Sequence, residues 1–195
     1  MKILIFRIKC LMSVPFYLWF RFKDYDFMKR EIWYWKQICP VVQFRNHFLQ
    51  FIWIFAAFPE YRTLFLFRMG GILDSIPIPR LNSLYIISRR NVIGCGLVFY
   101  HGFSTILFPE SMGEGCTVSQ NVTIGRAKEY GPRPKIGNNV KICAGAIVLG
   151  DITIGDNVTI GAGCVVVKSV PLDCVVVGNP AYIVRKNGIK VHEAL

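Results

Sequence analysis

Between residues 136 and 166 an aliphatic side chain returns at every sixth position: Ile136, Ile142, Val148, Ile154, Ile160 and Val166. A second register, two residues earlier in the same rhythm, is also small or aliphatic: Val140, Ala146, Ile152, Val158, Cys164 and Val170. Glycine follows the aliphatic in Ile136-Gly137, Ile154-Gly155 and Ile160-Gly161. A period of six matches neither the 3.6 of a helix nor the 2 of an alternating strand. It matches a solenoid in which each six-residue unit makes one short strand and one corner. The aliphatics point inward and stack on their equivalents in the next coil. Gly, Asn and Asp take the corners, where tight or left-handed backbone is needed; Asn138-Asn139 and Asp156-Asn157 suit that role.

Upstream the rhythm is less regular. Ile93-Gly94 and Phe99 share one phase, and Met112, Val118 and Ile124-Gly125 resume it after a slip of one residue. The stretch 126–135 (Arg-Ala-Lys-Glu-Tyr-Gly-Pro-Arg-Pro-Lys) is polar and proline-containing, so it cannot line a coil interior. It is expected as a loop thrown out of the solenoid, and loops on rigid scaffolds commonly carry function.

Residues 1–75 have a different composition, rich in aromatics and Lys/Arg and poor in glycine. Phe27–Ile38 and Gln43–Phe58 place large apolar residues at helical spacing, with Pro40 and Pro59 as punctuation. This predicts a helical region that serves either as an oligomer-contact layer or as a basic, aromatic surface for anionic lipid. Met1–Phe20 is apolar but interrupted by Arg7 and Lys9, with no small-residue cleavage site after it, and Phe48–Phe58 is short for a bilayer. No transmembrane helix is therefore expected.

The formal charge of +11 points to an anionic partner without selecting one. Seven cysteines, an odd number with no C-x-x-C pair, argue against a disulfide framework or a zinc site and for a reducing compartment such as the cytoplasm. Cys143, Cys164 and Cys174 fall in apolar runs and are expected to be buried. No nucleic-acid motif accompanies the charge, and the placement of only three histidines argues against a three-histidine zinc site.

Residues 90–185 resemble the left-handed parallel β-helix acyltransferases, and among them the serine acetyltransferase-like branch. The resemblance is carried by Gly96-Leu97-Val98-Phe99-Tyr100-His101-Gly102, by 118–125 (Val-Ser-Gln-Asn-Val-Thr-Ile-Gly), by Pro134-Lys135-Ile136-Gly137-Asn138-Asn139-Val140, by 160–166 and by the closing Val177-Gly178-Asn179-Pro180-Ala181. It implies a left-handed parallel β-helix, placed over 76–185; with the α-helical region 1–75 read from composition and spacing, and a tail, 186–195, the chain is expected to be mainly β. The resemblance implies a homotrimer with acetyl-CoA in clefts between neighbouring β-helices, and no metal. His101 matches the family's catalytic histidine, a base whose pKa suits activation of a hydroxyl. Ala144, Gly145, Ala162 and Gly163 match the small residues along which the pantetheine arm passes. Lys168 and Arg185 match cations for the CoA phosphates.

The match departs at the acceptor side. Serine acetyltransferases carry an aspartate just before the histidine, where this chain has Tyr100, and another fifteen residues before it, where this chain has Ile86. Their Arg-His pair is Pro132-Arg133 here. Orientation of His101 then falls to a backbone carbonyl, to Glu110 or to another subunit. Without the two aspartates, serine's ammonium group lacks its carboxylates. The expected acceptor is therefore a hydroxyl of a sugar or glycan precursor, contacted by Tyr100, Glu110 and Arg133. Pro59-Glu60-Tyr61-Arg62-Thr63-Leu64-Phe65 also resembles a segment of short relatives from glycan synthesis. A lipid-linked acceptor would give the N-terminal region a place at the inner membrane face. Serine O-acetylation and a non-catalytic scaffold are the alternatives.

Overall fold

The computed structural model describes residues 2–38, 45–70 and 78–195. The expectations placed on Pro40 and on residues 71–75 lie outside these. The chain divides into two compact units, Met1–Leu81 and Asn82–Leu195.

The first unit is helical: α1 (Lys2–Lys23), α2 (Tyr25–Gln37), α3 (His47–Ala57) and α4 (Pro59–Met69). Local chemistry sets the boundaries. The Asp24 carboxylate accepts from the Phe27 N–H at 2.9 Å and starts α2. The Asn46 side chain accepts from the Phe48 N–H at 2.8 Å and starts α3. Pro59 opens α4, where a missing N–H costs nothing, and Gly70 closes it at φ 52°.

Aromatic edges and faces fill the core. Phe65 meets Phe51 and Phe55 at 5.5 Å, and Trp35 meets Tyr61 at 5.1 Å, all near T-shaped. Arg62 is buried among them. Its guanidinium donates to the carbonyls of Phe55, Ala56 and Pro79. The Leu81 N–H donates to Thr63 Oγ1 at 3.0 Å. These bonds tie residues 79–81 to α4, so the helical unit ends at Leu81, later than composition alone places it.

One difference from the sequence expectation concerns α1. Its Ile3–Phe22 stretch, 20 residues with a mean hydropathy of 1.6, is long and apolar enough to cross a membrane, the one such helix among the described residues. Arg7, Lys9 and Arg21 lie within it and leave the average that high, and the helix runs on through Pro15.

The second unit is a parallel β-helix. After β1 (Leu84–Ile86), successive coils contribute β2 (Val98–Tyr100), β3 (Thr105–Leu107) and β4 (Ser111–Met112); β5 (Thr117–Ser119), β6 (Thr123–Gly125) and β7 (Lys135–Ile136); β8 (Lys141–Ile142), β9 (Ile147–Leu149) and β10 (Thr153–Ile154); and β11 (Thr159–Ile160) with β12 (Val165–Val166). Three parallel walls result: β1-β3-β6-β9-β12, β4-β7-β10, and β2-β5-β8-β11 continued by β13 (Cys174–Val177). Ile136 pairs with Ile154, Ile142 with Ile160 and Val148 with Val166, so every third unit of six stacks. All twelve aliphatic and small residues of the two six-residue registers are buried. The upstream slip is a coil of nineteen residues, in which Ile93 lies on Met112 and Phe99 on Val118.

Asparagines mark one corner. Asn139 and Asn157 have φ near +55°, and Asn139 Nδ2 donates to Asn157 Oδ1 at 3.2 Å. Asn157 Nδ2 in turn donates to Asp173 Oδ1 at 2.9 Å. Cys164 and Cys174 are buried, whereas Cys143 is half-buried at a corner. Residues 186–195 are not a loose tail. β14 (Tyr182–Lys186) and β15 (Ile189–Ala194) fold antiparallel onto β13, turning at Asn187-Gly188.

Candidate functional site

One corner of the β-helix, between the β2-β5-β8-β11 wall and the β3-β6-β9-β12 wall, collects most of the candidate residues. In the third and fourth coils it is Cys143-Ala144-Gly145 and Gly161-Ala162-Gly163. The Gly163 N–H donates to the Ala144 carbonyl at 2.9 Å, and the Gly145 N–H to the Gln120 carbonyl at 3.0 Å. Gly145 and Gly163 sit at φ +70° and +66°, and a Cβ on Gly163 would meet nothing within 4 Å. These corners thus form a low track, half-buried at Ala144 and Gly145 and exposed at Ala162 and Gly163. At Gly163 the backbone dihedral, not crowding, calls for glycine.

His101 begins the same corner in the first coil, two coils before Cys143. Tyr100 pairs with Ser119 and Ile106 with Thr123, so five residues turn this corner where three suffice in the next coil. The two extra residues push His101 outward at φ 53°, and its side chain is exposed. Thr105 fastens the bulge from inside. Fully buried, its hydroxyl donates to the carbonyls of Phe103 at 3.3 Å and Ser119 at 3.2 Å. Sequence reasoning missed Thr105; a lone threonine at an interior position was the available signal. Among the described residues, no side chain or carbonyl of the chain hydrogen-bonds the His101 imidazole.

Glu110 does not orient it either. The Glu110 carboxylate is held by Arg133, whose Nε donates at 2.9 Å. Arg133 also lies over the Phe108 ring, 4.7 Å from its centroid, and Arg126 lies over the same ring at 5.0 Å. Arg126 Nη1 donates to the Glu129 carbonyl at 3.0 Å. Ile124 to Ile136 takes twelve residues where Val148 to Ile154 takes six, so 126–135 is an insertion, as its composition predicts. Phe108, unnoticed in the sequence, is the anchor on which both loop arginines rest. Tyr100, 44% exposed, ends β2 beside His101.

The remaining candidates lie at the last coil and the hairpin. Lys168 lines a cavity of about 190 Å³ with Val165, Val167, Asn179, Pro180, Ala181 and Leu195, and its Nζ donates to the Leu195 carbonyl at 2.7 Å. The Asn179-Pro180 peptide bond here is cis. Arg185 is exposed on β14, opposite Val175 and Lys190, and is not among the residues lining that cavity. Among the described residues, no group of three or more His, Cys, Asp or Glu is arranged to hold a metal ion.

Comparison with known proteins bears on family and acceptor. Residues 133–168 match the family described as bacterial transferase hexapeptide (six repeats). A serine acetyltransferase of Staphylococcus aureus (strain Mu50 / ATCC 700699) is 47% identical over 107 residues, which are 51% of this chain and 48% of that protein. The chain spans about half the length of the curated relatives it matches. Two solved structures share the fold. Neisseria gonorrhoeae serine acetyltransferase aligns at TM-score 0.62 and 23% identity, over 85% of this chain and 67% of that one. The soybean serine acetyltransferase apoenzyme aligns at 0.63 and 24%, over 83% and 70%.

The relatives overturn the expectation of a sugar or glycan acceptor, since the one at 47% identity is a serine acetyltransferase. The geometry supplies the physical reason. The basic loop is not a free cationic surface for an acidic glycan, because Arg126 and Arg133 are spent on Phe108, Glu110 and a loop carbonyl. Two departures, Tyr100 and Ile86, do not outweigh 47% identity over 107 residues. The α4 segment that resembled glycan-pathway relatives carries Arg62 as an internal fastening. The β-helical half of this chain is thus similar to the hexapeptide-repeat transferases, and within them to serine acetyltransferases.

Proposed function

We propose that this chain is a serine O-acetyltransferase that moves the acetyl group of acetyl-CoA onto the hydroxyl of L-serine. The observation that carries the proposal is the 47% identity to a serine acetyltransferase. His101, presented on a corner lengthened by two residues, supports it.

The chemistry follows from the residues. The His101 imidazole accepts the proton of the serine hydroxyl as its oxygen attacks the thioester carbonyl. Backbone N–H groups stabilise the oxyanion that forms. As the tetrahedral intermediate collapses, the C–S bond breaks and the imidazolium returns its proton to the departing thiolate. No acyl-enzyme is required, because the thioester is already activated.

The chain acts as a homotrimer in the cytoplasm, with acetyl-CoA between neighbouring β-helices. The pantetheine arm runs along the track of Ala144, Gly145, Ala162 and Gly163, and Lys168 and Arg185 meet the phosphates.

The test is release of CoA thiol from acetyl-CoA by the purified full chain. Release should depend on L-serine, and His101→Ala should lower kcat by about 10²- to 10⁴-fold while acetyl-CoA binding persists. A folded protein that binds acetyl-CoA yet releases no thiol with serine overturns the proposal.

A further inference from the structure

α1 is apolar on two faces, and the helical unit uses only one. Inward, Phe16 stacks on Phe55 at 5.6 Å, Tyr17 meets Phe48 at 4.9 Å, and Ser13 and Phe20 are buried. Outward, Leu4, Ile8, Leu11, Leu18 and Phe22 follow one another at helical spacing along a single stripe. Leu4 is 62% exposed, Leu11 75% and Phe22 88%. Ile5, Met12 and Trp19 widen the stripe on one side, and all three are exposed. Exposed apolar surface this continuous marks an interaction site.

Charge selects the occupant. α1 contains Lys2, Arg7, Lys9, Arg21 and Lys23 and no Asp or Glu. Helix geometry puts Arg7 and Arg21 along the other edge of the stripe, and both are exposed. Residues 1–81 as a whole hold twelve Lys/Arg against five Asp/Glu. A second copy docking by the same face would set arginine against arginine with no carboxylate on the helix to meet either. An anionic bilayer offers acyl chains to the leucines and phosphates to the arginines.

We infer that the outer face of α1 docks on an anionic lipid bilayer, with Leu4, Ile8, Leu11, Leu18 and Phe22 in the acyl boundary and Arg7 and Arg21 at the headgroups. The helix lies along the interface, because its inner face is occupied by α3. Trp19, 60% exposed beside the stripe, sits at headgroup depth. This surface lies on the helical unit and is independent of the acceptor assigned to the β-helix.

The test is sedimentation of the full chain with phosphatidylcholine vesicles, with and without phosphatidylglycerol, at low and high salt. Three proteins are compared: wild type, Leu4→Ser/Leu11→Ser/Leu18→Ser, and Arg7→Ser/Arg21→Ser. Wild type should bind the anionic vesicles, more weakly at high salt, with a blue shift of tryptophan emission. The leucine variant should lose at least about tenfold in partitioning. The arginine variant should lose about fivefold per charge, on anionic vesicles alone. Unchanged helical circular dichroism keeps the comparison valid, and the arginine variant, which changes two exposed side chains and gives up the Arg21 contact with the Tyr25 ring, carries the test if the leucine variant misfolds. Wild type remaining in the supernatant with anionic vesicles overturns the inference. So does equal binding by wild type and the arginine variant at low salt. A leucine variant that drops to a smaller assembly in gel filtration, beside a wild type indifferent to vesicles, assigns the face to a second copy instead.

Discussion

Gly137→Ala should unfold the β-helix more readily than its single added methyl suggests. Gly137 is not in a left-handed conformation. Its Cβ would lie 2.3 Å from Asp156 Oδ1, 2.9 Å from Asp156 N and 2.9 Å from the Gly155 carbonyl carbon. Two of these atoms are backbone of the next coil, which is held by the Gly137 N–H donating to the Ile154 carbonyl at 2.8 Å. The third is the oxygen that accepts from the Asn138 N–H at 2.7 Å, so it cannot swing away without losing that bond. The coils must part by several tenths of an ångström. Overpacking of this kind costs about 1–3 kcal/mol, and the weakened hydrogen bond adds about 1 kcal/mol. For a chain of this size the sum lowers Tm by roughly 5–15 °C. Far-UV circular dichroism follows both units, so a transition absent from tryptophan fluorescence is that of the β-helix. Tryptophan fluorescence is a separate reference, because Trp19, Trp33, Trp35 and Trp53 all lie in the helical unit. Asparagine separates crowding from dihedral strain. Gly163→Asn should cost little, since asparagine tolerates φ +66° and the space is open, whereas Gly137→Asn should be as damaging as alanine. A Gly137→Ala protein melting within about 1 °C of wild type, or equal tolerance of asparagine at both sites, refutes the reasoning.

Arg62→Met should destabilise the helical unit by about 3–5 kcal/mol, because three interior carbonyls lose their charged donor; a urea midpoint by tryptophan fluorescence within error of wild type would refute this. Asp156 has its carboxyl held below the usual carboxylate range, first by the Asn138 backbone N–H and then by the Asn138 side-chain amide. A pKa lower in the folded state gives stability that is present above the unfolded value and is lost as pH falls through the folded one. Asp156→Asn should therefore flatten the fall in Tm below about pH 4, and parallel acid profiles would count against it. Ala162 is exposed on the low track, so Ala162→Leu should leave Tm unchanged and raise KM for acetyl-CoA about tenfold or more; unaltered KM would remove the track from the donor site.

Much of the fold was legible because a solenoid core is built from local repetition. Each interior position faces its own equivalent one coil away, so Ile136, Ile154 and their neighbours announce themselves by spacing alone. The one-residue slip before Met112 and the ejected loop 126–135 were legible for the same reason, as breaks in that rhythm. The glycines of Ile136-Gly137 and Ile154-Gly155 were located correctly but for the wrong cause. A sequence shows that a side chain is absent, not whether a dihedral or an approaching backbone excludes it, and at Gly137 and Gly155 it is the backbone of the next coil.

What the sequence alone determined is the β-helix and its corners. The tertiary structure decided which charges are free and which are spent. Arg133 reads in the sequence as an acceptor contact, and only the placement of Phe108 and Glu110 shows that it fastens the loop. It also turned 189–194 from a tail into a strand, because β14 offers that segment a hydrogen-bonding edge that composition does not record. And it divided the two apolar faces of α1, one packed on α3 and one outward, which side-chain chemistry leaves equivalent and the position of neighbouring helices does not.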